Sequence, residues 1–188
     1  RTAGRPPSPA AARPPAARPA TDPRRTPRRR APAGPPRSGC RERQGGDGPR
    51  ATPTLDDGKV YIFGARGTLL CADAKSGKPI WTKSYDGRPQ WSYSGSVLIE
   101  GKLAVLSPGG RDGGLLALDK KTGEKVWSAG DGKAGYATPY PFTFDGTRYI
   151  VGFMGKEIII AEAKTGKVAW SRPWKTSYDV NAATPIFH

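Results

Sequence analysis

Most side chains in this sequence that are able to do acid–base or metal chemistry stand at spacings that assign them to turns. Asp73, Asp119 and Glu162 each lie four residues before a glycine, Gly77, Gly123 and Gly166, with Ser or Thr directly ahead of that glycine. An acid and a hydroxyl so placed hydrogen-bond turn amides, and the glycine supplies the positive φ of a tight reversal. Further acids open Asp-Gly pairs, such as Asp57, Asp86, Asp131 and Asp145, where local hydrogen bonding accounts for them. The thiols of Cys40 and Cys71 form neither a CxxC nor a Cys-Cys pair, and His188 is the single histidine, so a metal or His-based nucleophilic site has no frame. Gly109–Gly114 is glycine-rich but lacks the Gly-Lys-Ser/Thr of a phosphate loop and reads as a long hairpin turn. Catalytic, cofactor-binding and metal residues are therefore all expected to be absent.

The elements that hold these groups are set by a repeat. Cys71–Trp81, Ala117–Trp127 and Ile160–Trp170 share the pattern apolar-x-acid-x-Lys-Ser/Thr-Gly followed by Trp four residues later, with Trp-to-Trp steps of 46 and 43 residues. A second marker, Ala51-Thr52-Pro53, returns at Ala137-Thr138-Pro139 and Ala183-Thr184-Pro185, and Ser94-Gly95-Ser96 holds the corresponding place between the first two. Within each period the apolar pattern is that of short strands: 59–63, 68–72 and 79–83, then 102–106, 114–118 and 125–128, then 148–151, 157–161 and 167–170. A strand after each marker makes four per period, the content of one β-propeller blade.

The expected fold is all-β: a partial propeller of about three four-stranded blades, 51–90, 91–136 and 137–181, with 182–188 starting a fourth. Trp81, Trp127 and Trp170 fall on the fourth strand, where an indole covers the side of a neighbouring blade. Trp127, in the middle period, is expected to matter most, with Trp81 and Trp170 nearer open ends.

Residues 1–50 differ in kind. They contain no Val, Ile, Leu, Met, Phe, Trp or Tyr, yet hold 13 Arg and 12 of the 20 Pro. Such a segment has no apolar surface to offset the entropy of ordering, so disorder is expected, and its composition reads as translated GC-rich DNA outside the genuine coding sequence. Most of the formal net charge of +15 sits there. An arginine-rich arm is able to contact phosphates, but on this reading no nucleic-acid partner is expected. No apolar run approaches the roughly 20 residues of a membrane span, and no targeting signal is visible, which leaves export open.

At the repeat residues the sequence resembles the pyrroloquinoline-quinone-like repeat family, whose blades carry Ala-x-Asp-x-x-Thr-Gly-x-x-x-Trp. The resemblance covers residues 51–188, and Glu162 departs from its Asp. It implies blade-to-blade docking for Trp81, Trp127 and Trp170, and a propeller of about seven or eight blades. Missing blades or self-association are accordingly expected. It also implies one of two activities. Quinoprotein dehydrogenases hold the quinone and Ca²⁺ with an adjacent cysteine pair and a set of Glu, Asn and Asp, whereas propellers similar to the outer-membrane barrel-assembly lipoprotein bind proteins. Without a Cys-Cys pair, a non-catalytic protein-binding scaffold without cofactor is expected, in the periplasm or cell envelope or secreted. In the alternative, a quinoprotein dehydrogenase, pyrroloquinoline quinone and calcium belong to residues outside this chain. The connections leaving each fourth strand mix aromatic and basic side chains, the types enriched at binding hot spots. Arg88, Trp91, Tyr93, Tyr136, Trp174 and Tyr178 thus form a candidate interaction face, against the simpler alternative that the aromatics pack over the strand ends.

Overall fold

The structure is a computed structural model and describes residues 50–185. The expectation of disorder for residues 1–50, the Cys40 thiol and His188 fall outside the described residues, apart from Arg50. Twelve strands form three antiparallel four-stranded sheets, each ordered as its strands occur in the chain. Blade 1 is β1 (Thr54–Asp56), β2 (Lys59–Phe63), β3 (Thr68–Asp73) and β4 (Pro79–Ser84). Blade 2 is β5 (Leu98–Glu100), β6 (Leu103–Leu106), β7 (Leu115–Asp119) and β8 (Lys125–Ala129). Blade 3 is β9 (Tyr140–Phe144), β10 (Thr147–Phe153), β11 (Glu157–Glu162) and β12 (Val168–Pro173). Among the described residues the helical content is two single 3₁₀ turns, Gly110–Asp112 and Ser177–Asp179.

The core lies between the sheets. One apolar layer joins Tyr61, Phe63, Leu69 and Cys71 of blade 1 to Ala104, Leu106, Leu116 and Leu118 of blade 2. The other joins Val105, Leu115, Ala117 and Trp127 to Ile150, Ile159 and Ala161 of blade 3. Alternate residues of β6 and β7 therefore enter opposite layers, which is why Leu115-Leu-Ala-Leu118 is an unbroken apolar run: a strand buried on both faces has no polar side. The outermost strands β4, β8 and β12 carry more polar residues and are more exposed.

Each blade carries the same irregularity. The pairing of the third and fourth strands slips by one residue at Cys71/Ala72, Ala117/Leu118 and Ile160/Ala161. The bulged residue is Ile80, Val126 or Ala169, and the slip turns the following Trp onto the face it would otherwise miss, opposite Cys71, Ala117 or Ile160.

The repeat turns share one backbone frame. The amides of Gly77, Gly123 and Gly166 donate to the carbonyls of Asp73, Asp119 and Glu162 at 2.8, 2.8 and 2.9 Å, and the glycines have φ of 70, 72 and 73°. Asp73 Oδ1 accepts from the Ser76 amide at 2.7 Å and its hydroxyl at 2.6 Å; Asp119 Oδ1 accepts from the amides of Lys121 and Thr122 at 2.8 and 3.0 Å. The longer Glu162 reaches the Thr165 hydroxyl instead, at 2.8 Å. The Ser76 hydroxyl, then its amide, hold the Asp73 carboxyl below its ordinary range; the Thr122 and Lys121 amides do the same for Asp119. Both groups are depressed in the fold, so their contribution to stability is complete above the unfolded carboxylate pKa of about 4 and is lost as pH falls through the folded value. Urea midpoints are expected to fall on acidification below about pH 4, and Asp119→Asn to flatten that limb. An unchanged acid limb in Asp119→Asn counts against the turn as its source.

Candidate interaction surface

Two arrangements are built from the repeated and loop residues: the joint between blades and the loops at one end of the sheets.

The joint is directional. Trp81 of blade 1 lies against the turn of blade 2, with its Nε1 donating to the Lys120 carbonyl at 3.2 Å, and Tyr61 Oη donates to the same oxygen at 3.0 Å. Trp127 repeats this on blade 3, where Nε1 donates to the Ala163 carbonyl at 3.0 Å. Each acceptor directly follows the repeat acid. The repeat glycine of the receiving blade is the seat: a Cβ on Gly123 would lie 2.8 Å from Trp81 Cδ2, and one on Gly166 would lie 2.6 Å from Trp127 Cδ2. Gly123 and Gly166 therefore meet two demands, positive φ and room for an indole. Gly77 of blade 1 is exposed, with nothing within 4 Å of a Cβ. Correspondingly, Trp127 is 6 % exposed, Trp81 half-buried and Trp170 45 % exposed.

Polar links repeat beside the indoles. Asp56 pairs with Lys120 across the first joint, and Glu100 with Arg148 at 2.9 Å across the second. The Thr52 amide donates to Ser96 Oγ and the Ser96 amide to Thr138 Oγ1, both at 2.9 Å. The hydroxyl of the second sequence marker thus fastens each inner strand to the next. The marker is legible in the sequence, whereas its role and the acids Asp56 and Glu100 carry no sequence signal.

At one end of the sheets, the connections leaving β4, β8 and β12 touch in series. The Trp91 amide donates to Tyr136 Oη at 3.2 Å, Ser94 Oγ to the Tyr136 carbonyl at 3.1 Å, and the Tyr136 amide to the Asn181 carbonyl at 3.2 Å. Tyr93 is buried, its hydroxyl donating to the Pro108 carbonyl at 2.9 Å. Tyr136 is buried as well, and Trp91 is half-buried. These three pack over the strand ends. Arg88 is exposed with φ of 38°, Trp174 is 44 % exposed with its ring edge-on to Phe153 at 6.2 Å, and Tyr178 is 75 % exposed with φ of 64°. Of the six, Arg88, Trp174 and Tyr178 are thus the exposed ones. Asp179, beside Tyr178, pairs with Lys133 at 3.1 Å and Lys156 at 3.9 Å, and Asp86 pairs with Arg111 at 2.6 Å.

Asn181, which sequence reasoning did not single out, closes the third connection. It is buried, and its Nδ2 donates to the Met154 carbonyl at 2.8 Å. Gly109 lies in the glycine-rich turn, where a Cβ would be 2.2 Å from the Ala134 amide, so that run serves backbone approach between neighbouring loops. Glu157 lies beneath the β8 connection, and burial, then the charge of Asp131, push its carboxyl up. The Cys71 thiol is buried beside Tyr61, and burial pushes its pKa up. Among the described residues no three His, Cys, Asp or Glu side chains stand together as a metal site, and no helix is long and apolar enough to cross a membrane.

Comparison with known proteins agrees with this architecture. The family model described as "Outer membrane protein assembly factor BamB" matches residues 26–185. The quinoprotein alcohol dehydrogenase PedH of Pseudomonas putida is 30 % identical over 142 residues, covering 67 % of this chain and 23 % of that protein. The quinohemoprotein alcohol dehydrogenase of Comamonas testosteroni is 33 % identical over 145 residues, covering 65 % and 19 %. The chain thus spans less than a quarter of these two relatives. Among solved structures, quinohemoprotein alcohol dehydrogenase ADHIIG from Pseudomonas putida superposes with a TM-score of 0.51 at 24 % identity over 67 % of this chain and 20 % of that one, a likeness of fold. BamB from Moraxella catarrhalis gives 0.45 at 19 % identity over 66 % and 34 %. With the family model matching most of the sequence and three PQQ-like blades in place, the chain belongs to the family of the outer membrane protein assembly factor BamB.

Proposed function

We propose that this chain acts as a non-catalytic, protein-binding scaffold in the bacterial envelope, working with other proteins of outer-membrane assembly. The observation that carries the reading is the pair Trp174 and Tyr178, exposed on a connection whose backbone is fixed by Asn181 and flanked by Lys133 and Lys156. A rigid surface carrying large aromatic and cationic groups has the make-up of a binding hot spot. The use of the acids is consistent with this. Asp73, Asp119 and Glu162 bind their turns, Asp56 and Glu100 bridge blades, and Asp86 and Asp179 pair with loop cations.

The dehydrogenase relatives give a second reading, in which the chain is one part of a quinoprotein. Its own residues do not fit that group: the sequence holds no adjacent cysteine pair, and the described Cys71 is sealed between blades 1 and 2.

One experiment separates the two. The double variant Trp174→Ala/Tyr178→Ala is expected to cost about 1 kcal/mol of stability, since Trp174 is 44 % and Tyr178 75 % exposed, and to weaken binding to purified outer-membrane assembly proteins by about tenfold or more. Unchanged binding removes this surface from the function. Stoichiometric, calcium-dependent binding of pyrroloquinoline quinone in calorimetry transfers the assignment to the second reading.

A further inference from the structure

The connection that leaves β12 is cationic as well as aromatic. Lys133 and Lys156 both reach the Asp179 carboxylate, at 3.1 and 3.9 Å, so a single acid answers two ammonium groups. Arg172 and Lys175, which flank Trp174 in the chain, are exposed and make no ion pair among the described residues. Four cations to one carboxylate leave a surplus of positive charge on the connection that displays Trp174 and Tyr178. Two other acids, Asp131 and Glu157, are engaged elsewhere. The Glu157 carboxyl lies against Gly132 beneath the β8 connection, and the charge that acts on it there is that of Asp131.

The backbone of this connection is held in a costly form. Tyr178 and Asp179 are consecutive non-glycine residues with φ of 64 and 57°, in the left-handed region that side chains disfavour. They are kept there by bonds on both sides. Asn181 Nδ2 donates to the carbonyls of Met154 and Gly155 at 2.8 and 3.3 Å, and Thr176 Oγ1 donates to the Val180 carbonyl at 2.9 Å. Strain that the surroundings maintain is concentrated at sites that hold a ligand in fixed geometry. The backbone that carries Tyr178 is therefore set in advance, which lowers the ordering cost of binding.

Resting on the protein-binding reading above, we propose that the partner segment docking on this connection is acidic, with Asp or Glu side chains that meet Lys156, Arg172 and Lys175 around an apolar side chain packed on Trp174 and Tyr178. Charge complementarity selects the carboxylates, and the exposed rings select the apolar group between them. A bare polyanion matches the cations alone and leaves both rings in water. Complementary charge acts mainly on encounter, so association is expected to slow as salt rises.

The full chain is titrated by fluorescence anisotropy against a labelled short peptide of alternating Asp and Phe, beside peptides alternating Lys with Phe and Asp with Ser. The Asp-Phe peptide is expected to bind best, and Arg172→Glu/Lys175→Glu, which breaks no described ion pair, to weaken it by about tenfold or more. Lys156→Glu reports the same loss from the Asp179 side of the connection. Equal binding of the Lys-Phe peptide, undiminished binding in the charge-reversed chains, or no binding of any peptide overturns the proposal. Equal binding of the Asp-Ser peptide means that a polyanion suffices and overturns it as well. The wider reading is tested separately: if Trp174→Ala/Tyr178→Ala weakens binding to purified outer-membrane assembly proteins while the charge reversals leave it unchanged, the scaffold function stands and the acidic partner falls.

Discussion

Trp127→Ala is expected to destabilise the protein by about 3–5 kcal/mol, the range for removing a buried Trp. Trp127 fills the second core layer, donates its N–H to the Ala163 carbonyl and closes over Gly166, so truncation leaves a cavity and a buried carbonyl without its donor. Trp170→Ala is expected to cost about 1 kcal/mol, because nearly half of that side chain is already in water. Trp81→Ala should lie between, and nearer to Trp127. Trp81 and Trp127 each seat on the blade that follows, so Trp81 has a seat on Gly123 although its blade is the first described. Urea titration of the three variants measures this order. Equal small losses would mean that the joint does not depend on the indole.

Gly166→Ala and Gly77→Ala form a matched pair that separates the two demands on the repeat glycine. Both positions have φ near +70°, where a Cβ costs about 1–2 kcal/mol. At Gly77 that is the whole expected effect, since the added methyl meets nothing within 4 Å. At Gly166 the methyl would overlap Trp127, and displacing the indole adds about 1–3 kcal/mol. The difference between the two variants, read from denaturant midpoints, is the contribution of the seat. Equal losses would reduce the glycine to a turn residue.

The strands were legible because their signals are local. Alternation and glycine-bounded apolar runs place β2, β3, β6, β7 and β11 to within a residue or so of their observed limits. The slip at Ile80, Val126 and Ala169 was not legible, since no residue type marks it: Ile, Val and Ala are all ordinary strand residues. It is nevertheless what aims each indole at its neighbour. The loop aromatics divide for a related reason. Tyr93 and Tyr136 are held down by Pro108 and Asn181, partners in other connections. Trp174 and Tyr178 lie in a similar aromatic and basic context and stay exposed. Partners 15 or 45 residues away decide the outcome, and composition within one loop does not encode them.

The burial of Cys71 has a consequence for redox chemistry. Thiol–disulfide exchange needs a thiolate, and it needs the sulfur within reach of a second sulfur. Cys71 is fully buried in the layer between blades 1 and 2, with its proton held more tightly than in a free thiol. In an oxidising compartment such a sulfur resists glutathionylation, mixed-disulfide formation and sulfenic acid for as long as the first two blades stay closed.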